Sequence, residues 1–259
     1  MSNIKPDYNE FYDPRLVAVY NTVCALGDEK QFYIKLAKDL STKTIVDLGC
    51  GTGLLTIELA KLGYQMIGVE PSKLMLDVAI KNSEGLDIKW IQGDANSFEE
   101  FNADLAIMTG HVAQFHLEDE QWQNVLKLIY KSLKPGGYLA FESRNPDVQP
   151  WNNPNQENNT DWYAPNLHKK FHDPKEGEIE YRAKLIEVDG QKDTSEGHYL
   201  FTKTGEELTS KNTLIFRTRE EIERFLKGAD FSIENVYGNW DWSEASTESP
   251  EFIFVAKKN

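Results

Sequence analysis

Between positions 46 and 53 the chain reads Val46-Asp47-Leu48-Gly49-Cys50-Gly51-Thr52-Gly53, an acid followed by three glycines at alternate positions. Glycine lacks the Cβ that would hold a ligand off the backbone, and a helix opening after such a turn offers amide N–H groups with no intrahelical partner. The spacing is GxGxG, and Leu54 stands where a dinucleotide fingerprint places its third glycine, which leans away from NAD. A second acid, Glu70, follows the next apolar run about 20 residues on, where a carboxylate can accept both hydroxyls of a ribose. A third, Asp94 in Gly93-Asp94-Ala95, is placed to accept a hydrogen bond from an adenine amino group while Ile91 or Met75 packs on the ring. Glycine turn and acids together point to a nucleoside ligand.

These residues need strand tips to carry them, and the flanking pattern supplies such tips. TIVDL (44–48), YQMIGVE (64–70), DIKWIQ (87–92), DLAIMT (104–109) and YLAFES (138–143) read as strands. Helical spacing lies between them at Leu54 to Leu62, after Ser72, and from about Glu118 to Leu133. Strands this apolar call for a parallel sheet covered on both faces, and open sheets of that kind bind ligands beyond their carboxyl ends. Ahead of them, Tyr8 to Leu40 is rich in aromatics, and Asp13-Pro14 reads as an N-cap with proline at the first helical position, so one or two helices precede the sheet.

After Arg144 the texture changes. Asn145 to Asn166, full of Asn, Pro and Trp, reads as a long loop. Ile179 to Val188, His198 to Thr204 and Leu208 to Phe216 alternate like strands of an inserted antiparallel sheet, a flap. Thr218 can cap a helix to Lys227, and FSIENVY (231–237) with EFIFVA (251–256) close the chain as a strand pair. The expected fold is therefore α/β, a Rossmann-like, doubly wound, mostly parallel seven-stranded sheet with an antiparallel insertion capping the active site. Its divisions are N-terminal helices or lid over 1–42, nucleoside-binding core over 43–145, loop and flap over 146–217, and closing helix and strands over 218–259.

Composition narrows the partners. A formal net charge of −14 over 259 residues, with no Lys/Arg cluster, argues against nucleic acid. Cys24 and Cys50 show neither disulfide nor zinc spacing, so no metal is expected. No apolar run approaches the roughly 20 residues of a bilayer span, and the expectation is a soluble cytoplasmic monomer or homodimer without membrane contact.

At this point the residues resemble the class I S-adenosylmethionine-dependent methyltransferases. VDLGCGTG matches the family's first motif, VEPS (69–72) its second, QGDANSF (92–98) its third, and LKPGGYLAFES (133–143) the glycine turn into its fifth strand. The resemblance is strong over Thr44 to Arg144 and looser beyond. It implies S-adenosylmethionine as cofactor, with Asp47, Gly49, Cys50, Gly51, Thr52 and Gly53 around its methionine part. Glu70 and Pro71 would then lie at the ribose, Met75, Asp94 and Ala95 at the adenine, and Thr109, Gly110 and His111 on the sulfonium side. A tyrosine of the N-terminal helices, Tyr12 or Tyr20, would reach the cofactor carboxylate; aromatic packing is the other role for that stripe. More loosely, the flap and YGNWDW (237–242) resemble small-molecule members such as sugar-amine N-methyltransferases and natural-product O-methyltransferases. Thr109-Gly110-His111-Val112 replaces the Asn/Asp-Pro-Pro-Tyr/Phe motif of amide and base methylation.

The implied reaction moves a methyl group to an O or N atom of a small molecule, and chiefly needs the nucleophile in line and water excluded. Where the acceptor carries a proton, a base must take it. His111 is the first candidate, with a neutral, pocket-shaping imidazole as its other role; His116 is the second. Arg144 can grip a substrate carboxylate or phosphate, or pair with Glu142. An NAD-dependent oxidoreductase and a non-catalytic cofactor-binding module are the competing readings.

Overall fold

The structure, a computed structural model, describes residues 10–148 and 168–259. Two helices open it, α1 (Pro14–Val23) and α2 (Glu29–Asp39). Asp13 caps α1, its carboxylate accepting the Arg15 and Leu16 amides at 2.8 and 3.2 Å, with Pro14 at the first helical position. The alternation then runs β1 (Thr44–Leu48), α3 (Leu54–Lys61), β2 (Gln65–Glu70), α4 (Lys73–Asn82), β3 (Ile88–Gln92), β4 (Ala103–Met108), α5 (Asp119–Ser132) and β5 (Leu133–Arg144). Four antiparallel strands follow, β6 (His168–Asp173), β7 (Gly177–Asp189), β8 (Lys192–Phe201) and β9 (Glu206–Ile215). Helix α6 (Arg219–Gly228) and strands β10 (Phe231–Tyr237) and β11 (Glu251–Lys258) complete the order. Thr218 and Glu221 form a reciprocal capping box at the start of α6.

The main sheet has seven strands in the order β10-β11-β5-β4-β1-β2-β3, parallel except at β11, which runs against both β5 and β10. Alternate residues of its central strands feed two cores, as a period of two requires. On one face Ile45, Leu105, Ile107, Ala140, Ile253 and Val255 pack against Phe32, Tyr33 and Leu36 of α2 and Leu55 and Leu59 of α3. On the other, Val46, Ala106, Leu139, Phe141 and Phe254 meet Trp122, Leu126 and Ile129 of α5 and Ile222 and Leu226 of α6. Because β11 is reversed, its first residue, Glu251, lies beside Arg144 at the carboxyl end of β5.

The second sheet, in the order β6-β7-β8-β9, has a core of its own. Leu16, Val19 and Val23 of α1 are buried against Ile179, Tyr181, Ala183, Tyr199 and Phe201. The two N-terminal helices therefore part company: α1 packs on the inserted sheet to form a cap, and α2 packs on the main sheet. Thr22 fastens α1 to Asp173 at 2.7 Å, and Arg15 reaches Glu176 and Glu206 at 3.0 and 2.7 Å.

Two strand expectations need correction. Strand β8 covers 192–201 rather than 198–204, and 202–205 is the turn into β9. Its buried positions include Thr194 and Gly197, so hydropathy alternation hides the first half of the strand. Strand β6 went unanticipated because an edge strand reading HKKFHD carries one large apolar residue. Most of the expected loop 145–166, with Trp151 and Trp162, lies outside the described residues. Among the described residues no helix is long and apolar enough to cross a membrane.

Candidate active site

The turn after β1 is fixed by backbone geometry. Gly49, Gly51 and Gly53 have φ of +76°, +57° and +76°, the left-handed region that glycine enters without penalty. A Cβ on Gly49 would lie 2.5 Å from Val112, whereas one on Gly51 would meet only the Met75 methyl, at 3.4 Å. The amides of Gly49 and Cys50 donate to the Val69 carbonyl, which ties the turn to the tip of β2. The amide of Gly51 donates to Glu70 Oε2 at 3.0 Å, and that of Ser72 to Glu70 Oε1 at 2.8 Å. Burial raises the Glu70 carboxyl pKa, and these two N–H bonds offset part of the rise.

Asp47 stands one strand over and is fully buried. Its Oδ2 accepts the Thr56 hydroxyl at 2.5 Å, and its Oδ1 has no partner among the described residues. Desolvation pushes its pKa up to about 7, against the lowering effect of the Thr56 bond. Thr52 donates to Asn21 Oδ1 of α1 at 2.5 Å, which joins the glycine turn to the cap.

A cavity of about 460 Å³ opens from this turn to the inner face of the cap. From the sequence-derived set it gathers Tyr20, Asp47, Gly49, Cys50, Gly51, Thr52, Thr109, Gly110, His111 and Arg144. The remaining candidates lie off it. Glu70 sits just beyond Gly51, whose amide it accepts. Gly53 is closed off by Trp90 and Ala79, Pro71 is exposed, and Met75 and Ala95 are buried in the packing. Tyr12 is 44% exposed; partial burial, and after it the Glu70 charge, raise the pKa of its hydroxyl.

Three of the sequence candidates stand outside the lining of this cavity. Asp94 is exposed and accepts from the Asn96 backbone amide and side chain at 2.9 and 3.0 Å, capping a short 3₁₀ turn. Met75 is 1% exposed beneath the glycine turn, too deep to offer a face to a ring without moving. His116 faces away from the cavity and stacks on Trp122 at 5.6 Å. Burial, helped by the Arg217 charge, depresses its imidazole pKa to about 4, so it is no base for this site.

Several cavity residues were missed. Glu10, Tyr181, Ser195, Tyr199, Ser210, Asn212 and Leu214 come from the N-terminal segment and the inserted sheet. The carboxylate of Glu10 accepts the Tyr199 hydroxyl at 3.0 Å, and its pKa is raised by burial against bonds from Ser210, Tyr199 and Asn212. On the sheet side, Glu142 accepts the Tyr33 hydroxyl and, at 2.9 Å, the backbone N–H of His111; burial raises its pKa. Glu251 Oε1 lies 2.9 Å from His111 Nε2. Arg144 bonds Gln114 Oε1 through its amide and Nη1, each at 3.3 Å. Trp240 also lines the cavity, while Trp242 stacks on Phe32 at 4.2 Å. Glu10, Glu29, Asp47, Glu142 and Glu251 face Arg144 as the one Lys or Arg among the described lining residues. Such a wall favours a ligand carrying positive charge.

Comparison with known proteins agrees with the geometry. Residues 45–137 match the model of a methyltransferase domain. The cypemycin N-terminal methyltransferase of a Streptomyces species is 28% identical over 140 residues, 52% of this chain and 57% of that protein. The chain spans about half the length of the curated relatives it matches. A methyltransferase from Clostridium acetobutylicum superposes with a TM-score of 0.76 at 16% identity, over 94% of this chain and 97% of that one. The S-adenosylmethionine-bound amino pentose methyltransferase of calicheamicin biosynthesis from Micromonospora echinaspora superposes with a TM-score of 0.70 at 18% identity, over 96% and 98%. At these identities the superpositions establish the fold.

Proposed function

We propose that residues 45–137, which match the model of a methyltransferase domain, are of the class I, S-adenosylmethionine-dependent kind, and that the chain transfers a methyl group from S-adenosylmethionine to an O or N atom of a small molecule held beneath the cap. The observation that carries this reading is the pair of carboxylates flanking the open backbone of Gly51. Asp47 Oδ1, buried and partnerless, suits an ammonium group, and Glu70 is fixed at the next strand tip with the reach of a ribose diol. The residues present therefore fit the cofactor, whose positive charges the acidic wall complements.

The sulfonium brings an already activated methyl group. What remains for the protein is to hold the acceptor in line, exclude water and receive a proton. Thr109, Gly110 and His111 line the cavity between the glycine turn and the cap, and His111 is the proton acceptor in this reading. Arg144, anchored by Gln114, lines the cavity and is the candidate to grip a carboxylate or phosphate of the acceptor. The small-molecule character of the acceptor draws support from the modest volume of the cavity and from the amino pentose methyltransferase that shares the fold.

Calorimetry with S-adenosylhomocysteine tests the cofactor, and label transfer from radioactive S-adenosylmethionine across a metabolite library tests the reaction. Binding followed by transfer is expected. Binding with no labelled product from any acceptor would leave a cofactor-binding module and defeat the reading.

A further inference from the structure

His111 is held between carboxylates on two adjacent strands. Glu251 is paired with Arg144, and Ile253 with Glu142, in the β5–β11 register. Paired residues share a face and the pleat repeats every second residue, so Glu142, Arg144 and Glu251 project together into the cavity. Glu142 takes the backbone N–H of His111, which sits at φ +61°, the left-handed region that a non-glycine residue occupies only when its surroundings hold it there. Glu251 takes the ring. A carboxylate only accepts, so its contact with Nε2 puts the proton of a neutral imidazole there and the lone pair on Nδ1. No described residue bonds Nδ1.

We propose that Glu251 is a positioning residue: it fixes His111 as the Nε2–H tautomer and thereby makes Nδ1 the atom that receives the acceptor's proton. This rests on the methyl-transfer reading above. As the acceptor's lone pair forms the bond to the methyl carbon, the carbon–sulfur bond breaks with its electrons left on sulfur, and the acceptor's proton passes to Nδ1. The imidazolium so formed faces Glu251 through Nε2–H and afterwards releases its proton to water.

Glu251→Gln keeps the shape and removes the preference, because an amide can either donate to Nε2 or accept from it. Two measurements decide. Long-range ¹H–¹⁵N spectra, with His111 assigned by its loss in His111→Gln, report the tautomer without any acceptor. Steady-state kinetics with an acceptor found by the label screen report the chemistry. Wild type should show Nε2–H, and Glu251→Gln a mixed or inverted tautomer. In that variant kcat should fall ~10²-fold or more while the acceptor KM stays within ~3-fold, the signature of a lost proton-transfer geometry rather than lost binding. Should Glu251→Gln fold poorly, Glu251→Ala with added formate replaces it, and recovery of rate by formate is the expected result. A proton on Nδ1 in the wild type, an unchanged kcat in Glu251→Gln, or a loss confined to KM would overturn the proposal while leaving the methyl-transfer reading standing. Failure of any acceptor to take the label would overturn both.

Discussion

The two ends of the cavity are built in opposite ways. At the glycine turn the geometry is carried by backbone: three left-handed glycines, two amides on the Val69 carbonyl, and Glu70 bound to the Gly51 and Ser72 amides. Beneath the cap it is carried by side chains from distant parts of the chain, Glu10 with Tyr199, Tyr33 with Glu142, His111 with Glu251. A backbone-built site is specified by a few contiguous residues and tolerates little change, so it suits a ligand that is always the same. A side-chain-built site can change one contact at a time, and suits the ligand in which one enzyme differs from another.

The largest effect expected from breaking this division is at Glu70. Glu70→Ala removes the proposed ribose acceptor and strands two backbone N–H groups, that of Ser72 buried and that of Gly51 part-buried. S-adenosylhomocysteine affinity should fall ~100-fold, and stability by roughly 2–5 kcal/mol for two lost acceptors. Glu70→Gln separates the two, since one carbonyl oxygen remains and most of the stability should return while affinity stays low. Calorimetry and thermal melts read the pair. Equal affinity in Glu70→Gln and wild type would refute the assignment.

Asp47 gives the next effect, and its sign follows from its raised pKa. The folded carboxyl, at about 7 against an ordinary 3.8, holds its proton more tightly than the unfolded one. Its contribution to stability without ligand is therefore present at low pH and lost as pH rises from about 4 to 7. An ammonium bound at Oδ1 needs the ionised form, so S-adenosylhomocysteine affinity should rise up to ~10-fold per unit between pH 5.5 and about 7 and level off above. Asp47→Asn should flatten that profile in calorimetry across the same range. A profile falling with pH would place the ammonium elsewhere.

This contrast also governs what the sequence could reveal. The place of Glu70 at the tip of β2 was legible because a strand, a turn and a helix in succession fix it without help from the rest of the fold. Asp94 stands at an equally legible strand tip, but a local bond to the Asn96 amide competes for its side chain, and sequence does not rank the two. His116 failed because the neighbour that buries it, Trp122, packs back from the next helix. Glu251 lies 140 residues from His111, and only the reversed register of β11 brings them together. EFIFVA was readable as a strand; its direction and partner, which place Glu251 at the cavity, were not.

A smaller and cleaner effect is expected within the cap. Tyr199→Phe removes one hydroxyl from Glu10 and leaves the aromatic packing on Tyr181 and α1 intact. A single hydrogen bond of about 1 kcal/mol corresponds to a several-fold rise in the acceptor KM, with S-adenosylhomocysteine affinity unchanged. If affinity for the product cofactor moved instead, the side-chain-built half would not be the acceptor's.

The smallest effect lies where the two halves meet. Asn21 Oδ1 on α1 accepts the Thr52 hydroxyl of the glycine turn, a contact spanning cap and core through side chains alone. Thr52 is 1% exposed, so Asn21→Ala costs its hydroxyl a hydrogen bond worth roughly 1 kcal/mol. For a chain of this size that lowers the melting temperature by about 2–4 °C. The position of the contact predicts more than its size does. Because α1 is packed on the inserted sheet rather than on the main one, loosening this bond loosens the whole cap from the turn. Amide exchange should therefore quicken together in α1 and in β7 and β8, and stay unchanged in β1, β2 and β4. Exchange rising in α1 alone would show that helix and inserted sheet do not move as one body.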